Sequence, residues 1–518
     1  MGLSADGRPE SGPATRALTP YLLAIAGAVL LCAFAVWNGY PLVYFDTVAY
    51  LQRPADALAA IFGPGEWSSA ALHPSGPTGA SQAVPAADAK DNVWMAGRSI
   101  YYGLFNALLI QIGTVWLAIF VQGWIVAATI AVAWFRSGAR SHAGYLALMA
   151  GLTVATTASV FVSTLLPDVL GGAAIVAAAT LIAFWERLRV LDKVFLGLAL
   201  SYAAVSHDSL LLLLAAVAAG LFVLIGGWRL VLAWRKAAAP ASLRLSPIAP
   251  IAAAVVVGLV ANFVFGLAAQ TATGNPPMRL PHLSARLATQ DFGRSYLREA
   301  CPEAGYALCR YQDRLGTTWI AFLFDRQGGV FATASRPAQR ELSDEQVRFA
   351  VDLTIHRPGE ALGLFATDFY RQLSMTSLAD LRPEENAPYL RQRLAAPLQA
   401  KIFNSRSYRD RSEALMRGSG FATWMQYAGA AVLAVLLAYR VATRRVGPAE
   451  VFAGALLAGF LLNAVICATV ASPYDRFQAR VAWLIPFAAA FLAWHAISWR
   501  QPGFLVGRRP TFFGGREP

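Results

Sequence analysis

Long uncharged apolar runs recur along the chain, most of them closed at one end by Lys or Arg, and their spacing sets out the architecture. The first, Tyr21 to Trp37, is long enough at ~1.5 Å per residue to cross most of a hydrocarbon layer about 30 Å thick. Gly39 and Pro41 break it, and the rings of Trp37, Tyr40 and Tyr44 suit the headgroup level. The first outer loop, 38–98, is rich in Pro, Gly, Ser and Ala, with Glu66, His73, Asp88 and Asp91 scattered through it, and predicts irregular structure.

Ser99 to Phe135 would make a single helix about 55 Å long, far more than a bilayer needs. Gly113 is the expected break, leaving a short interfacial helix with Asn106 and Gln111 and then a span from Val115 to Phe135. Tyr145 to Leu166 returns to Pro167-Asp168, which opens a span ending at Glu186-Arg187-Leu188-Arg189. Phe195 to Gly226 fits one long helix or two bent at Ser206-His207-Asp208-Ser209. Charge decides between them. Arg187, Arg189 and Lys193 precede the stretch, Arg229, Arg235 and Lys236 follow it, and only two crossings keep both clusters on the cytoplasmic side.

Ile248 to Leu267 crosses outward into a polar segment of mixed charge. Within it Ser343-Asp-Glu-Gln346 reads as a capping box for a helix ending at His356, and Pro358 opens the next helix. Asp325-Arg-Gln-Gly-Gly329 predicts a turn between two apolar runs. Three further spans lie near Phe421 to Tyr439, Val451 to Val470 and Val481 to Trp499. The expected fold is an α-helical polytopic membrane protein in three parts. Residues 1–269 form a transmembrane module of seven spans, 270–420 a mostly helical extracytoplasmic domain, and 421–518 a second module of three spans. That makes ten spans with both termini cytoplasmic, in the inner (plasma) membrane. Arg8, Arg16, the first apolar run and Ala33-Phe34-Ala35 also fit a signal peptide with its cleavage site, but the length of the run favours an uncleaved anchor.

Composition agrees with this class: 57% hydrophobic and 14% charged excludes an ordinary soluble protein, for which about 25% charged is usual. The net charge of +13 would suggest nucleic acid in a soluble protein. Here the basic residues collect in cytoplasmic loops, so no nucleic-acid partner is expected. Cys32 and Cys467 fall in apolar spans and read as packing residues, whereas Cys301 and Cys309, with seven residues between them, are expected to pair if their segment is extracytoplasmic. No zinc-ligand pattern is present.

Ser472-Pro-Tyr-Asp-Arg-Phe-Gln-Ala-Arg480 is the one short outer tip with two basic residues, Arg476 and Arg480. They run against the positive-inside bias, so a role other than topology is expected to hold them there. Asp46, Asp168, His207 and Asp208 are placed on the same face. This order of parts resembles the GT-C superfamily of membrane glycosyltransferases. The resemblance is carried by Tyr44-Phe-Asp46-Thr-Val-Ala-Tyr50 in the first outer loop, Arg98-Ser-Ile-Tyr-Tyr102 before an interfacial helix, and Leu166-Pro-Asp168 at the fourth span. Asp475-Arg476-Phe477 before the last spans, with Phe in place of Tyr, and the His356-Arg-Pro358 helix junction add to it. It covers the architecture of most of the chain through short motifs.

The resemblance implies a polyprenyl-phosphate-linked sugar as donor and a lipid or glycan as acceptor. Asp46 and Asp168 would be catalytic, and Arg476, Arg480, His207, Asp208, Arg98 and Tyr102 would bind substrate. Thr47 stands where the family often has a second acid, which leaves a divalent-metal requirement open; no other cofactor is implied. The chemistry itself needs a base for the acceptor hydroxyl and a cation for the departing phosphate, here Asp46 with Arg476 or Arg480. Each residue also has a structural explanation. Asp46 fits a helix cap, Asp168 a helix-dipole partner, His207 and Asp208 a hairpin turn, and Arg480 a snorkel to membrane lipids. Rival functions are an O-antigen-ligase or polymerase-like transferase, a transporter or an envelope scaffold. The expected lack of charge buried within the spans weighs against the transporter.

Overall fold

The structure, a computed structural model, describes residues 13–63, 65–68, 95–234, 245–301, 303–410 and 412–498. Arg8, His73, Asp88, Asp91, Arg235 and Lys236 lie outside these ranges. The first apolar rod is α1 (Pro13–Leu31) and α2 (Ala33–Asn38), closed by Gly39 at φ 85°, where a side chain would be strained. The expected irregular loop instead begins with α3 (Phe45–Phe62), an 18-residue helix. Its start is fixed by Thr47, whose Oγ1 accepts the Tyr44 N–H at 3.1 Å. One face of α3 packs on α4 (Ile100–Ile112), so closely that a Cβ at Gly103 would stand 2.2 Å from the Tyr50 carbonyl oxygen. Apolar residues at helical spacing, Val48, Leu51 and Ala55, are buried there, and this periodicity outweighs the Pro and Gly content that pointed to a loop.

Gly113 ends α4 as expected, and α5 (Val115–Arg136) follows with the Thr114 hydroxyl capping Trp116 N–H. The expected single span Tyr145 to Leu166 is broken. It comprises α6 (His142–Ala155) and α7 (Ala158–Val162), with Thr156 extended between them and the Thr157 hydroxyl donating to the Ala479 carbonyl at 2.7 Å. Two β-branched hydroxyl residues in a row compete for backbone partners, which accounts for the break. After α8 (Val169–Phe184), the bend at His207 divides α9 (Val190–Ser206) from α10 (Asp208–Trp234), and α11 (Ile248–Thr273) packs against both.

The polar segment carries α12 (His282–Ala288), α13 (Asp291–Ala300), α14 (Trp319–Phe324), α15 (Val330–Thr333), α16 (Arg336–Asp344) and α17 (Gln346–His356) around one hydrophobic core. Pro358 does open α18 (Pro358–Ser374), and the turn at Asp325–Gly329 joins two short helices. The capping box is absent: Ser343 lies inside α16, where its hydroxyl accepts the Arg279 N–H at 3.2 Å, and Glu345 turns to the N–H groups of Ala307 and Leu308. A segment with so many Ser and Glu residues offers several local caps, and tertiary partners selected another. Cys301 and Cys309 are bonded in this core. The small loop they close gives an expected loss of about 2 to 3 kcal/mol for the Cys301→Ser, Cys309→Ser pair in the chain-entropy model. Denaturant titration should show it, and an unchanged midpoint would count against it.

The remainder of the expected domain, with α19 (Pro383–Arg393), α20 (Ala396–Phe403) and α21 (Arg406–Arg409), packs elsewhere. Leu378, Leu381, Leu390, Leu398 and Ile402 join the large core of the apolar helices. The chain ends through α22 (Glu413–Ala442), α23 (Pro448–Val470), α24 (Asp475–Ala482) and α25 (Leu484–Ser498). Among the described residues eight helices are long and apolar enough to cross a membrane, from Ala17–Asn38 to Asp475–Ile497. The protein is thus an α-helical multi-pass membrane protein.

Polar contacts gather the helix ends into two sets. At one end Asp192, fully buried, accepts from Tyr21, from Arg136 Nε at 2.6 Å and from the Arg189 N–H, while Arg440 pairs with Glu450 at 3.2 Å. The second set surrounds Asp46 and Asp168.

Candidate functional site

Backbone pairing brings the two acids together. Leu42 N–H donates to the Ser163 carbonyl at 2.9 Å, and the Thr47 hydroxyl donates to the Leu165 carbonyl at 3.1 Å, which pins the start of α3 beside the start of α8. Asp168 flanks α8 with no capping hydrogen bond, so its carboxylate does not act as a helix cap. Arg98 stands just before Ser99, which caps α4. Arg476 enters from the first turn of α24, and that turn is held by the polar segment. Gln372 brackets Tyr474 with bonds of 2.8 and 3.1 Å, Asp475 accepts the Ser377 N–H, and Asp380 accepts the Arg476 N–H at 2.9 Å.

The charges meet in one chain. Arg98 donates to Asp46 Oδ1 and Arg476 Nη1 to Asp46 Oδ2 at 3.1 Å. Arg476 Nε lies 3.9 Å and Arg480 Nη1 3.6 Å from the same Asp168 oxygen. Arg480 also donates to Ser209 Oγ at 3.1 Å and Asn463 Oδ1 at 2.9 Å. Three guanidinium groups thus face two carboxylates. Asp46, Asp168 and Arg480 are 5%, 6% and 2% exposed. Burial alone would raise the Asp46 carboxyl, but Arg98 and Arg476 outweigh it and hold the group below its ordinary value. The Nε–H groups of all three arginines are buried without a hydrogen-bond acceptor.

The other expected residues are placed differently. His207 takes the Ser209 N–H on Nδ1 at 3.0 Å, capping α10; burial and then Arg480 keep its imidazole below the ordinary value. Asp208 borders a small crevice with Arg98 and Asn262 and forms its ion pair with Arg279, at 3.8 Å. Tyr102 is fully buried, its hydroxyl donating to Gln122 at 3.1 Å. One structural alternative is corrected: Arg480 does not snorkel but is buried near the start of the apolar helix Asp475–Ile497, against Asp168, Ser209 and Asn463. Local hydropathy cannot anticipate this, because the compensating Asp168, Ser209 and Asn463 come from other helices.

Sequence reasoning missed Asn463, Ser209 and Asp380 as partners. Asn463 had a signal, being an amide in the middle of an apolar run, whereas Asp380 sits among many charges in a polar segment and had none. No group of three or more His, Cys, Asp or Glu able to hold a metal occurs among the described residues. No family model matches the chain, and no curated protein or solved structure matches it significantly.

His282, in α12, supplies a pH test. Burial, then Arg98, lowers its imidazole to about 4, against about 6.5 in an unfolded chain. The folded protein therefore binds fewer protons between these values, so stability is intact above the unfolded value and falls as pH drops from about 6.5 toward 4. His282→Gln should flatten that limb in thermal unfolding scans, and an unaltered slope would exclude His282 as its source.

Proposed function

We propose that this protein is a membrane glycosyltransferase of GT-C-like architecture, moving a sugar from a polyprenyl-phosphate donor to a lipid or glycan acceptor at the extracytoplasmic face. The observation that carries this is the cluster of three arginines on two carboxylates, with three guanidinium N–H groups lacking acceptors. An excess of positive charge and unused donors suits an anion. A phosphate leaving an anomeric carbon gains charge as the bond breaks, and preorganised guanidinium groups stabilise that change more than they stabilise the bound donor. Asp46 and Asp168 hold the arginines in place before the donor binds.

In this proposal the eight long helices are joined by two shorter crossings, α6 with α7 and α9, giving ten spans with the arginine cluster outside. Loops at Arg140, Arg189 and Arg444 and the segment at Arg235 should then be cytoplasmic. Alkaline phosphatase fused at position 235 should be inactive; activity there would overturn the two-crossing assignment of α9 and α10.

The buried Arg480–Asp168 pair at the ends of two apolar helices also suits a transporter. Purified protein in lipid nanodiscs, supplied with undecaprenyl-phosphate esters of glucose, galactose, mannose or N-acetylglucosamine and candidate acceptors, separates the two. Release of undecaprenyl phosphate supports the enzyme. Flux of the esters across proteoliposomes without release favours transport. A transferase of the O-antigen-ligase kind would release product and tolerate Asp46→Asn.

A further inference from the structure

Both oxygens of Asp46 are engaged by guanidinium groups, and the carboxyl is held below its ordinary value, which makes it a weak acceptor for a hydroxyl proton. A second acid stands next to the cluster. Asp380 accepts the backbone N–H of Arg476 on Oδ2 at 2.9 Å, and it lines a cavity of about 180 Å³ with Tyr44, Phe45, Glu385, Asn386 and Tyr474. The cavity and the arginine cluster share a wall, because the Arg476 guanidinium lies 4.7 Å over the Tyr44 ring.

The walls are cross-linked by hydrogen bonds and ring contacts. Phe45 lies tilted against Tyr44 with ring centroids 4.2 Å apart, and its N–H donates to Asn386 Oδ1 at 3.3 Å, while Asn386 Nδ2 donates to the Arg382 carbonyl. Tyr474 is fixed by Gln372 and by ring contacts with Trp319 and Phe477. Three aromatic rings and two carboxylates around one small space match a sugar ring, whose C–H faces stack on aromatics and whose hydroxyls donate to carboxylates. Burial, opposed by the Arg476 N–H and reinforced by Asp475, raises the Asp380 carboxyl, so it takes a proton more readily than Asp46.

Resting on the glycosyltransferase reading, we infer that this cavity binds the acceptor as a hydroxylated sugar ring and that Asp380 takes the proton of the attacking hydroxyl. The acceptor oxygen then bonds to the anomeric carbon of the donor as the bond from that carbon to the phosphate oxygen breaks. The electron pair leaves on the polyprenyl phosphate beside Arg476, the anomeric centre inverts, and Asp380 afterwards returns its proton to water.

Saturation-transfer NMR on the full-length protein in nanodiscs, with methyl glycosides of glucose, galactose, mannose and N-acetylglucosamine as probes, tests the cavity. At least one probe should give a signal, reduced at least tenfold by Tyr474→Ala or Asp380→Ala and a few-fold by Glu385→Gln, a milder change at an exposed position. Undecaprenyl phosphate binding should survive Asp380→Ala. Asp380→Asn keeps an acceptor oxygen and should retain the NMR signal, yet slow undecaprenyl phosphate release by about 10²-fold or more. No signal from any probe with the wild-type protein overturns the cavity assignment, whatever the variants do. A fully active Asp380→Asn overturns the base. A methyl glycoside signal lost in Asp380→Ala, without undecaprenyl phosphate binding, supports the cavity and sinks the phosphate reading instead.

Discussion

If the protein is the proposed glycosyltransferase, Arg476→Ala should lower glycosyl transfer by about 10² to 10³, the scale of losing one donor to a developing oxyanion. Arg476 is the only residue of the cluster that reaches both acids, at 3.1 Å from Asp46 and 3.9 Å from Asp168, and its backbone N–H also fixes Asp380. Removing the side chain leaves Asp46 with Arg98 alone and deletes the donor nearest the cavity wall. Arg476→Lys keeps the charge but loses the planar fork, so it recovers little. Asp46→Asn is at least as damaging. It barely changes volume, yet it leaves Arg98 and Arg476 with no charge between them. Turnover by purified variants of equal thermal stability checks all three. A fully active Arg476→Lys enzyme would sink the phosphate role, and the bland alternative of a lipid-anchoring arginine forecasts that result. An anchor is also hard to reconcile with Arg476 lying over the Tyr44 ring inside the protein.

The parts of this site that were legible in the sequence are those that broke a rule of their surroundings. Arg476 and Arg480 stood out because they fall in a tip that the alternation of basic clusters assigns to the outer side, and Asp168 because an acid after a proline opened an otherwise apolar span. Asp46 followed from position alone, just past the break at Gly39. What proved illegible were relations between elements. Nothing local to Asp208 says that Arg279 is its ion-pair partner, and nothing in Arg98-Ser-Ile-Tyr-Tyr102 says that Tyr102 turns inward to Gln122. The division of the polar segment between two cores was hidden for the same reason. Leu378, Leu390 and Leu398 are ordinary apolar positions in a polar segment, and only tertiary packing decides which core they join. Helix existence was read well because long apolar runs are strong signals, as at Gly113 and at the His207 bend. Thr156-Thr157 shows where that fails, since hydropathy scores threonine mildly while its hydroxyl redirects the chain to Ala479.

The same logic makes Arg480→Met the most destabilising single change expected at the site, at about 3 to 5 kcal/mol, the usual result of removing one partner from a buried ion pair. Arg480 is 2% exposed and its guanidinium serves Asp168, Ser209 and Asn463 from three different helices. Methionine fills much of the volume, so the loss is electrostatic rather than a cavity. Asp168 keeps only Arg476, at 3.9 Å, beyond hydrogen-bonding distance. Asp168→Asn is costly from the other side, because it leaves three arginines against Asp46 alone. The double variant removes both charges of the pair and should be less destabilised than the sum of the singles by at least ~1 kcal/mol, since contacting charges couple. An arginine that merely reached lipid headgroups would behave otherwise: Arg480→Met would cost under about 1 kcal/mol, as for exposed pairs, and the two changes would add. Unfolding of the variants in detergent measures the cycle. Strict additivity would show that Arg480 and Asp168 do not stabilise each other. A positive coupling would mean that the cluster holds its arginines by mutual burial of charge, so that a phosphate entering it exchanges one set of anionic partners for another.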